Sequence, residues 1–301
     1  MHAALSWRFQ RTDLMNSPIL RLALGALLLA SPVLTAVPTG AETVAGAEVT
    51  AADLSRIMMI PDMIEVMRQE GLDYGASLRD EMFPGRGGDA WAATVALIYD
   101  GPTMRKRFDA AFAKALQDDP ATMPAVAAFF DTSPGQEILS LELEARRALM
   151  DETTEDAARA RAEEMAAEND PRMKALREFA EVNDLVEANV QGALNANLGF
   201  YQGMAQSGVF GDEMTEDQIL SDVWGQEADV RKETESWVYS FLALAYGPLP
   251  DADLQSYIAF SRSAAGKKMN VALFAAFDAV FVQISRDLGR AVAHQMVGDD
   301  I

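Results

Sequence analysis

Apolar residues recur along this chain with the three- and four-residue spacing of amphipathic α-helices. Phe108, Phe112 and Leu116 lie four apart, and a longer stripe runs from Met173 to Val190. No segment shows the convincing alternation of apolar and polar residues that a half-buried β-strand requires. The pattern therefore predicts an all-α fold.

Proline and cap residues predict where several helices begin. Pro61 interrupts a stripe that runs from Leu54 to Met67, and it is expected to kink or restart that helix. Asp170 is a cap residue followed by Pro171 at the first helical position. Thr215–Gln218 has the spacing of a capping box, so another helix is expected to start there.

The stretch "FFDTSPGQE" predicts a tight corner between two helices. One helix is expected to end near Phe130, and the next to begin with Ser133 as its N-cap and Pro134 at its first position. Gln136 follows the serine at the spacing of a capping box. Gly135 would let the two backbones approach closely.

A second corner occurs in "FSRSAAGKKM". Phe260 and Ser263 match Phe130 and Ser133 at one common offset, whereas the glycines differ by one further residue. We interpret the match as two tandem copies of one helical unit, with a chance match between alanine-rich helices as the alternative. The predicted fold is a helical bundle of two related multi-helix units with tight helix–helix corners.

These corners resemble the bacterial exported helical family called domain of unknown function 2059, whose motif is a phenylalanine, Ser-Pro, a glycine and polar or basic residues. The stretch "LSRIMMIPDMIEVMRQEGL" is also similar to that family's opening helix. The second corner keeps Gly266, Lys267 and Lys268 but lacks the proline; the first carries Gln136 and Glu137 in place of basic residues. The resemblance covers most of the chain after the leader, as two tandem copies. It implies an all-helical exported protein, and it supplies no catalytic residues.

Residues 1–41 have the features of a secretory signal peptide. Arg21 precedes the apolar run Leu22–Ala30, which is followed by a proline and small residues. Because a membrane span needs about 20 apolar residues, a retained anchor is the less favoured alternative. Cleavage after Ala41, or as late as Ala47, would release a periplasmic chain. The absence of cysteine excludes disulfides and a lipid-acceptor cysteine.

The charge excludes one class of partner. The formal net charge is −21 at pH 7, and such an acidic chain is repelled by nucleic-acid phosphates, whose binding proteins rely on Lys and Arg. We therefore expect no nucleic-acid binding, and a solvated acidic surface.

No catalytic, cofactor-binding or metal-binding residue set is indicated. His294, the histidine outside the leader, cannot build a three-histidine zinc site. The glycine-rich segment Pro84–Trp91 lacks the lysine and hydroxyl of a phosphate loop, and Asp89 is expected to be a helix N-cap. Acidic clusters at Asp151–Asp156 and Gly211–Asp217 do not fit the EF-hand loop. They are expected to be solvated helix starts.

The most apolar segment after the leader is Val271–Val282. It lies within a final helix expected from Ser263 to Val297, with Gly298 placed to end it. The segment is too short to span a bilayer and is interrupted by Asp278. A buried core helix is favoured, and a groove-docking or oligomer surface is the alternative.

These features favour a non-enzymatic envelope or periplasmic interaction protein, without a transmembrane anchor after processing. Its partner would be another envelope protein or a second copy, bound through a helical surface. The units would span residues 48–168 and 169–301 and pack as one domain. The alternative function is a periplasmic binding protein that holds a small apolar ligand between the two units. An enzyme would require two carboxylates converging in a cleft.

Overall fold

The computed structural model describes residues 49–119, 121–210 and 214–297. Within these ranges the chain forms helices and turns and no β-strand, so the predicted all-α helical fold is confirmed. In chain order the helices are α1 Ala51–Ile57, α2 Ile60–Met82, α3 Gly88–Ile98, α4 Gly101–Leu116, α5 Thr122–Phe130, α6 Ser133–Ala148, α7 Glu152–Ala167, α8 Pro171–Val182, α9 Leu185–Gln206, α10 Glu216–Trp224, α11 Glu227–Tyr246, α12 Asp251–Ser261 and α13 Ala264–Val297. The predicted signal peptide, Gly298 and part of the acidic cluster Gly211–Asp217 lie outside the described residues.

Two of the predicted helix starts are confirmed. The Asp170 carboxylate accepts a hydrogen bond from the backbone N–H of Arg172 at 2.8 Å, and Pro171 opens α8. Thr215 and Gln218 form a reciprocal capping box ahead of α10, in which each side chain accepts from the other residue's backbone N–H. Both motifs satisfy backbone donors that the first helical turn leaves without partners.

The prediction that Asp89 caps a helix is wrong. Helix α3 begins at Gly88 with Gly87 as its N-cap, and both glycines adopt positive φ angles of 46° and 83°. The chain therefore enters the helix before it reaches Asp89. That residue lies in the first turn of α3, where a carboxylate still complements the positive end of the helix dipole.

Two of the breaks between helices occur at a residue in the left-handed region and divide an apolar stripe. Met59 (φ 52°) separates α1 from α2, which confirms the restart expected near Pro61. Asp184 (φ 53°) separates α8 from α9, so the apolar stripe from Met173 to Val190 is divided between two helices. The apolar residues keep their three- and four-residue spacing across this break because both helices turn their apolar faces to the interior.

The first corner has the predicted position but a different cap. Thr132, not Ser133, is the N-cap of α6, and its hydroxyl accepts a hydrogen bond from the backbone N–H of Gly135 at 3.2 Å. Ser133 is the first residue of the helix. A Cβ atom on Gly135 would overlap the backbone of the preceding helix and meet the Cα of Phe130 at 2.7 Å, so the close approach expected at this glycine is observed.

Gln136 does not complete the predicted capping box. Its Nε2 atom donates to the backbone carbonyl oxygens of Phe130 at 2.7 Å and Ile57 at 2.9 Å. The side chain therefore holds the C-terminal ends of α1 and α5 beside the start of α6. These carbonyls need such partners because the last turn of a helix leaves its acceptors unpaired.

The second corner repeats this local geometry. The Ser263 hydroxyl accepts from the Gly266 N–H at 3.0 Å, and a Cβ atom on Gly266 would overlap the Phe260 carbonyl. The residue equivalent to Ser263 is thus Thr132, and the cap-to-glycine spacing is the same in both corners. The likeness is local, and duplication of a whole unit stays a prediction.

The two corners pack against each other through aromatic side chains. Phe129 stacks on Phe260 with ring centroids 5.4 Å apart, and Phe130 lies edge-on to Tyr257 at 6.3 Å. Phe130 and Phe260 are both buried. The larger hydrophobic core contains residues from 48–168 and from 169–301, so apolar side chains of both predicted units form one interior.

Helix α13 lies at the centre of the fold and is about 50 Å long, given the rise of an α-helix. Six of the twelve residues of Val271–Val282 are buried, as the core-helix prediction expected of its inner face, whereas Val271 is 62% exposed. Helix α13 packs against α4, α5, α9 and α12. Along the described ranges, no helix combines the length and the apolar character that crossing a bilayer needs.

Candidate functional site

His294 and the glycine-rich segment, the sequence features considered for catalysis, take no part in a cluster of reactive side chains among the described residues. His294 is exposed near the end of α13. Trp91, the last residue of the glycine-rich segment, is buried and donates from Nε1 to the Gly75 carbonyl oxygen at 2.6 Å. In the part of the chain that the structure describes, no three His, Asp or Glu side chains are grouped so as to hold a metal ion.

Helices α9 and α13 form a parallel pair whose separation is set by small residues. Asn195 pairs with Asp278, and Gln202 with Arg286 further along, so residue numbers rise together on both helices. Gly199, Gly203 and Gly289 lie where the backbones touch, and a Cβ atom on Gly199 would come 2.8 Å from the Val282 carbonyl oxygen. The two helices are therefore held at a fixed register.

An open groove of about 250 Å³ lies between these helices, N-terminal to the glycine contacts. Its lining residues lie at helical spacing on both helices: Ala188, Gln191, Gly192 and Asn195 from α9, and Phe274, Ala275, Phe277, Asp278 and Phe281 from α13. Short side chains leave the space, and phenylalanine rings supply its apolar surface. Val271 lies one turn before Ala275 and extends the exposed apolar face of α13. We call this surface the α9/α13 groove.

Asp278 is the ionisable side chain among the residues that line the groove. Its Oδ1 atom accepts a hydrogen bond from Asn195 Nδ2 at 2.9 Å. Partial burial raises the pKa of the Asp278 carboxyl, and the hydrogen bond from Asn195 offsets part of that rise. No basic side chain among the described residues pairs with it.

A second carboxylate, Glu142, lies deep inside the protein. It is 1% exposed, and its Oε1 atom accepts hydrogen bonds from the hydroxyls of Tyr246 and Tyr257, both at 2.6 Å. Its Oε2 atom has no hydrogen-bond partner. Glu142 belongs to α6, Tyr246 to α11 and Tyr257 to α12, so the cluster joins the two predicted units.

The surroundings of Glu142 favour its protonated form. Burial raises the pKa of Glu142 to about 8, and the two tyrosine hydrogen bonds counteract this only in part. Burial and the nearby carboxyl raise the pKa of both tyrosine hydroxyls well above the usual value. Phe179 packs edge-on to Tyr246 and against Tyr257, with ring centroids 5.5 and 4.7 Å away.

Two arginines near the Glu142 cluster bind other groups. The Arg172 guanidinium donates to the backbone carbonyl oxygens of Tyr246 and Leu249 and pairs with Asp251. Arg146, one turn after Glu142 on α6, forms a bidentate ion pair with Glu70 at 2.7 and 2.8 Å. Glu142 is thus held by hydroxyls rather than by a charge.

The two carboxylates differ in what they can reach. Glu142 is enclosed on all sides and is suited to fastening helices together, whereas Asp278 faces an open groove where a ligand can approach. The α9/α13 groove is therefore the candidate binding site.

Sequence reasoning assigned no role to either carboxylate, although both carried a signal. Asp278 interrupts the most apolar segment after the leader, and the groove-docking alternative for that segment pointed to this surface. Glu142 lies at helical spacing between Leu139 and Leu143 on the buried side of α6. An acid within an apolar stripe indicates a buried polar contact, but its partners come from distant helices and cannot be read from spacing.

Among the comparisons with known proteins, one family model matches the segment that contains the first corner. The model of a family described as "Uncharacterized protein conserved in bacteria (DUF2059)" matches residues 102–164, which include α5, α6 and most of α4 and α7. The predicted resemblance is confirmed for this segment. The second corner lies outside it, and the two tandem copies are not confirmed. No curated protein and no solved structure matches this chain significantly.

Proposed function

We propose that this chain is an exported, non-enzymatic envelope protein that binds a helical segment of a partner protein in the α9/α13 groove. The observation that carries the proposal is the groove itself. It is open, its surface is largely apolar, and both of its sides are helical stripes. An amphipathic helix places side chains at the matching i, i+3, i+4 and i+7 positions when it lies in such a groove.

The shape of the groove favours this function over a carrier of small apolar ligands. A small-molecule site typically encloses about 300–1,000 Å³ and buries most of its ligand. The α9/α13 groove is smaller and open. None of its lining residues belongs to either corner, and all of them lie within residues 169–301 rather than between the two predicted units.

Two further features support a non-enzymatic, exported protein. Glu142, the most strongly perturbed carboxyl, contacts tyrosine hydroxyls in the interior and is not exposed to a substrate. At the N-terminus, the arginines, the short apolar run and the small residues before Ala41 and Ala47 are typical of a cleaved leader. Mass spectrometry of the protein from the periplasmic fraction is expected to find a first residue of Glu42 or Glu48.

Position-specific crosslinking tests the binding function. A photo-reactive phenylalanine replaces Ala275, an exposed groove residue, in the full-length chain expressed in its own cells. The control replaces Ala259, an exposed alanine of α12 outside the groove. We expect a discrete adduct from position 275, reduced at least fivefold from position 259. Equal yields at the two positions, or no adduct at position 275, would contradict the proposal.

A further inference from the structure

Asp278 is a carboxylate that pairs with no cation in the part of the chain that the structure describes. It lies in the groove beside Phe274, Phe277 and Phe281, and its hydrogen bond within the described residues comes from the neutral side chain of Asn195. Elsewhere on α13, Asp287 pairs with Arg290. Asp278 therefore differs from an ordinary surface acid in being both half-buried and uncompensated.

This position costs stability in the free protein. Removing a carboxylate from water disfavours its charged form unless a cation or several hydrogen bonds replace the lost water. Asn195 supplies one hydrogen bond, and no cation among the described residues pairs with the carboxylate to offset the cost. Residues that reduce the stability of the free protein are often the ones that binding needs.

We infer that Asp278 is the anchor of the α9/α13 groove and forms an ion pair with a lysine or arginine of the bound partner helix. The inference rests on the proposed function and adds the chemistry of the partner. The apolar stem of such a side chain would lie along the phenylalanine surface while its charged end reaches the carboxylate. The partner is therefore an amphipathic helix with one basic residue within its apolar stripe.

Charge supports this occupant. The formal net charge of −21 attracts a cationic partner over long range and repels an acidic one. Two apolar stripes with one central acid complement an apolar stripe with one central base. A helix that carried a neutral residue at that place would leave the carboxylate covered and unpaired, which costs more than leaving it open to water.

Isosteric small probes test this chemistry without knowledge of the partner. Full-length protein labelled with nitrogen-15 is titrated at pH 7 with n-octylammonium, which mimics a lysine stem and its charge, and in parallel with neutral 1-octanol. Amide shifts of Ala275, Phe277 and Asp278 report binding. The variants are Asp278→Asn and, as a charge-matched control, Glu137→Gln, which removes an exposed acid of α6.

We expect both probes to shift the groove amides, with octylammonium binding at millimolar concentration and at least fivefold more tightly than octanol. The preference should persist in Glu137→Gln and fall below twofold in Asp278→Asn. A preference that survives Asp278→Asn, or equal binding of the two probes to the unmodified protein, would overturn the role of Asp278 and leave the groove function standing. If neither probe shifts the groove amides, the groove function fails as well.

One further outcome would change the occupant. If octylammonium alone binds at low micromolar concentration, the groove is a site for a small cationic amphiphile, and the inference of a protein side chain is wrong. Millimolar binding matches the contribution expected from one anchoring side chain of a larger partner.

Discussion

Glu142, near the contact between the two corners, and Asp278, in the α9/α13 groove, are two acids with opposite surroundings. In the corner region Glu142 is enclosed, receives two tyrosine hydrogen bonds and lies among aromatic rings contributed by α8, α11 and α12. In the groove Asp278 is half-buried, receives one hydrogen bond and faces an opening. In the first arrangement two hydroxyls hold Oε1 of a carboxyl that burial keeps neutral, and Oε2 is enclosed without a partner. In the second, a carboxylate at an open groove pairs with no cation among the described residues, which is the property expected of a binding residue.

The largest expected effect lies in the aromatic contact between the corners. Phe130→Ala and Phe260→Ala should each reduce the free energy of unfolding by about 3–5 kcal/mol, because each removes a fully buried ring and leaves a cavity. Urea unfolding of both variants measures this. If one substitution costs less than about 1 kcal/mol, the corners are not equal contributors to the core.

The next largest effect is expected for Glu142→Ala, which should lower the free energy of unfolding by about 3 kcal/mol. The change removes the acceptor of two hydroxyl hydrogen bonds and opens a cavity among α6, α11 and α12. Thermal unfolding at about pH 4, where the carboxyl is largely protonated in both the folded and the unfolded chain, gives the value with little contribution from charge. A loss below about 1 kcal/mol would show that the cluster does not fasten the helices.

The pH dependence of stability should distinguish Glu142 from its amide. The folded-state pKa of about 8 lies above the ordinary value of 4.5. The contribution of the protonated Glu142 carboxyl to the free energy of unfolding is therefore fully present below about pH 4.5, and it is lost as pH rises through about 8. Glu142→Gln keeps an acceptor for the tyrosines and does not titrate. It should match the unmodified protein near pH 4, to within about 1 kcal/mol, and exceed its stability at pH 9 by a few kcal/mol. Parallel curves from pH 5 to 9 would contradict a neutral Glu142.

The cap of the first corner should give a smaller effect. Thr132→Ala is expected to cost about 1 kcal/mol, because the Gly135 N–H loses its acceptor. Ser133→Ala, the neighbouring control, should change stability by less than about 0.3 kcal/mol since its side chain makes no cap hydrogen bond. The reverse order would restore Ser133 as the cap.

The substitution in the groove should change stability no more than the loss of the Thr132 cap, and with the opposite sign. Asp278→Asn should stabilise the protein by about 0.5–1 kcal/mol at pH 7, because it removes a half-buried charge and keeps an oxygen for Asn195. The raised pKa means that this cost of the native acid appears as pH rises above its ordinary value of 3.8, so the gain should vanish near pH 3.5. Destabilisation at pH 7 would mean that Asp278 supports the fold.

The all-α fold and many helix starts followed from the sequence because they depend on local rules. Asp170 and Thr215 capped their helices as spacing predicted, and Pro61 marked a break. The cap at Thr132 was misplaced by one residue, because Thr132 and Ser133 are both hydroxyl residues and only backbone geometry distinguishes them. Asp89 was misassigned because consecutive glycines admitted an earlier helix start.

The candidate site was less accessible to sequence reasoning because it depends on pairing between distant helices. The parallel register of α9 and α13 brings Asn195 to Asp278, and no periodicity within one helix reveals that contact. The apolar segment Val271–Val282 did indicate a docking surface as one alternative. The segment could not indicate which helix would lie beside it. It therefore could not indicate whether Asp278 would pair with a basic residue.

The most direct test of the central claim is the pKa of Asp278, measured from its side-chain carboxyl carbon by NMR with and without saturating n-octylammonium. In the free protein the pKa should lie above 3.8 because of burial, and a bound cation should lower it through charge attraction. A pKa that stays the same when the groove is saturated would contradict the role of Asp278 as a cation anchor.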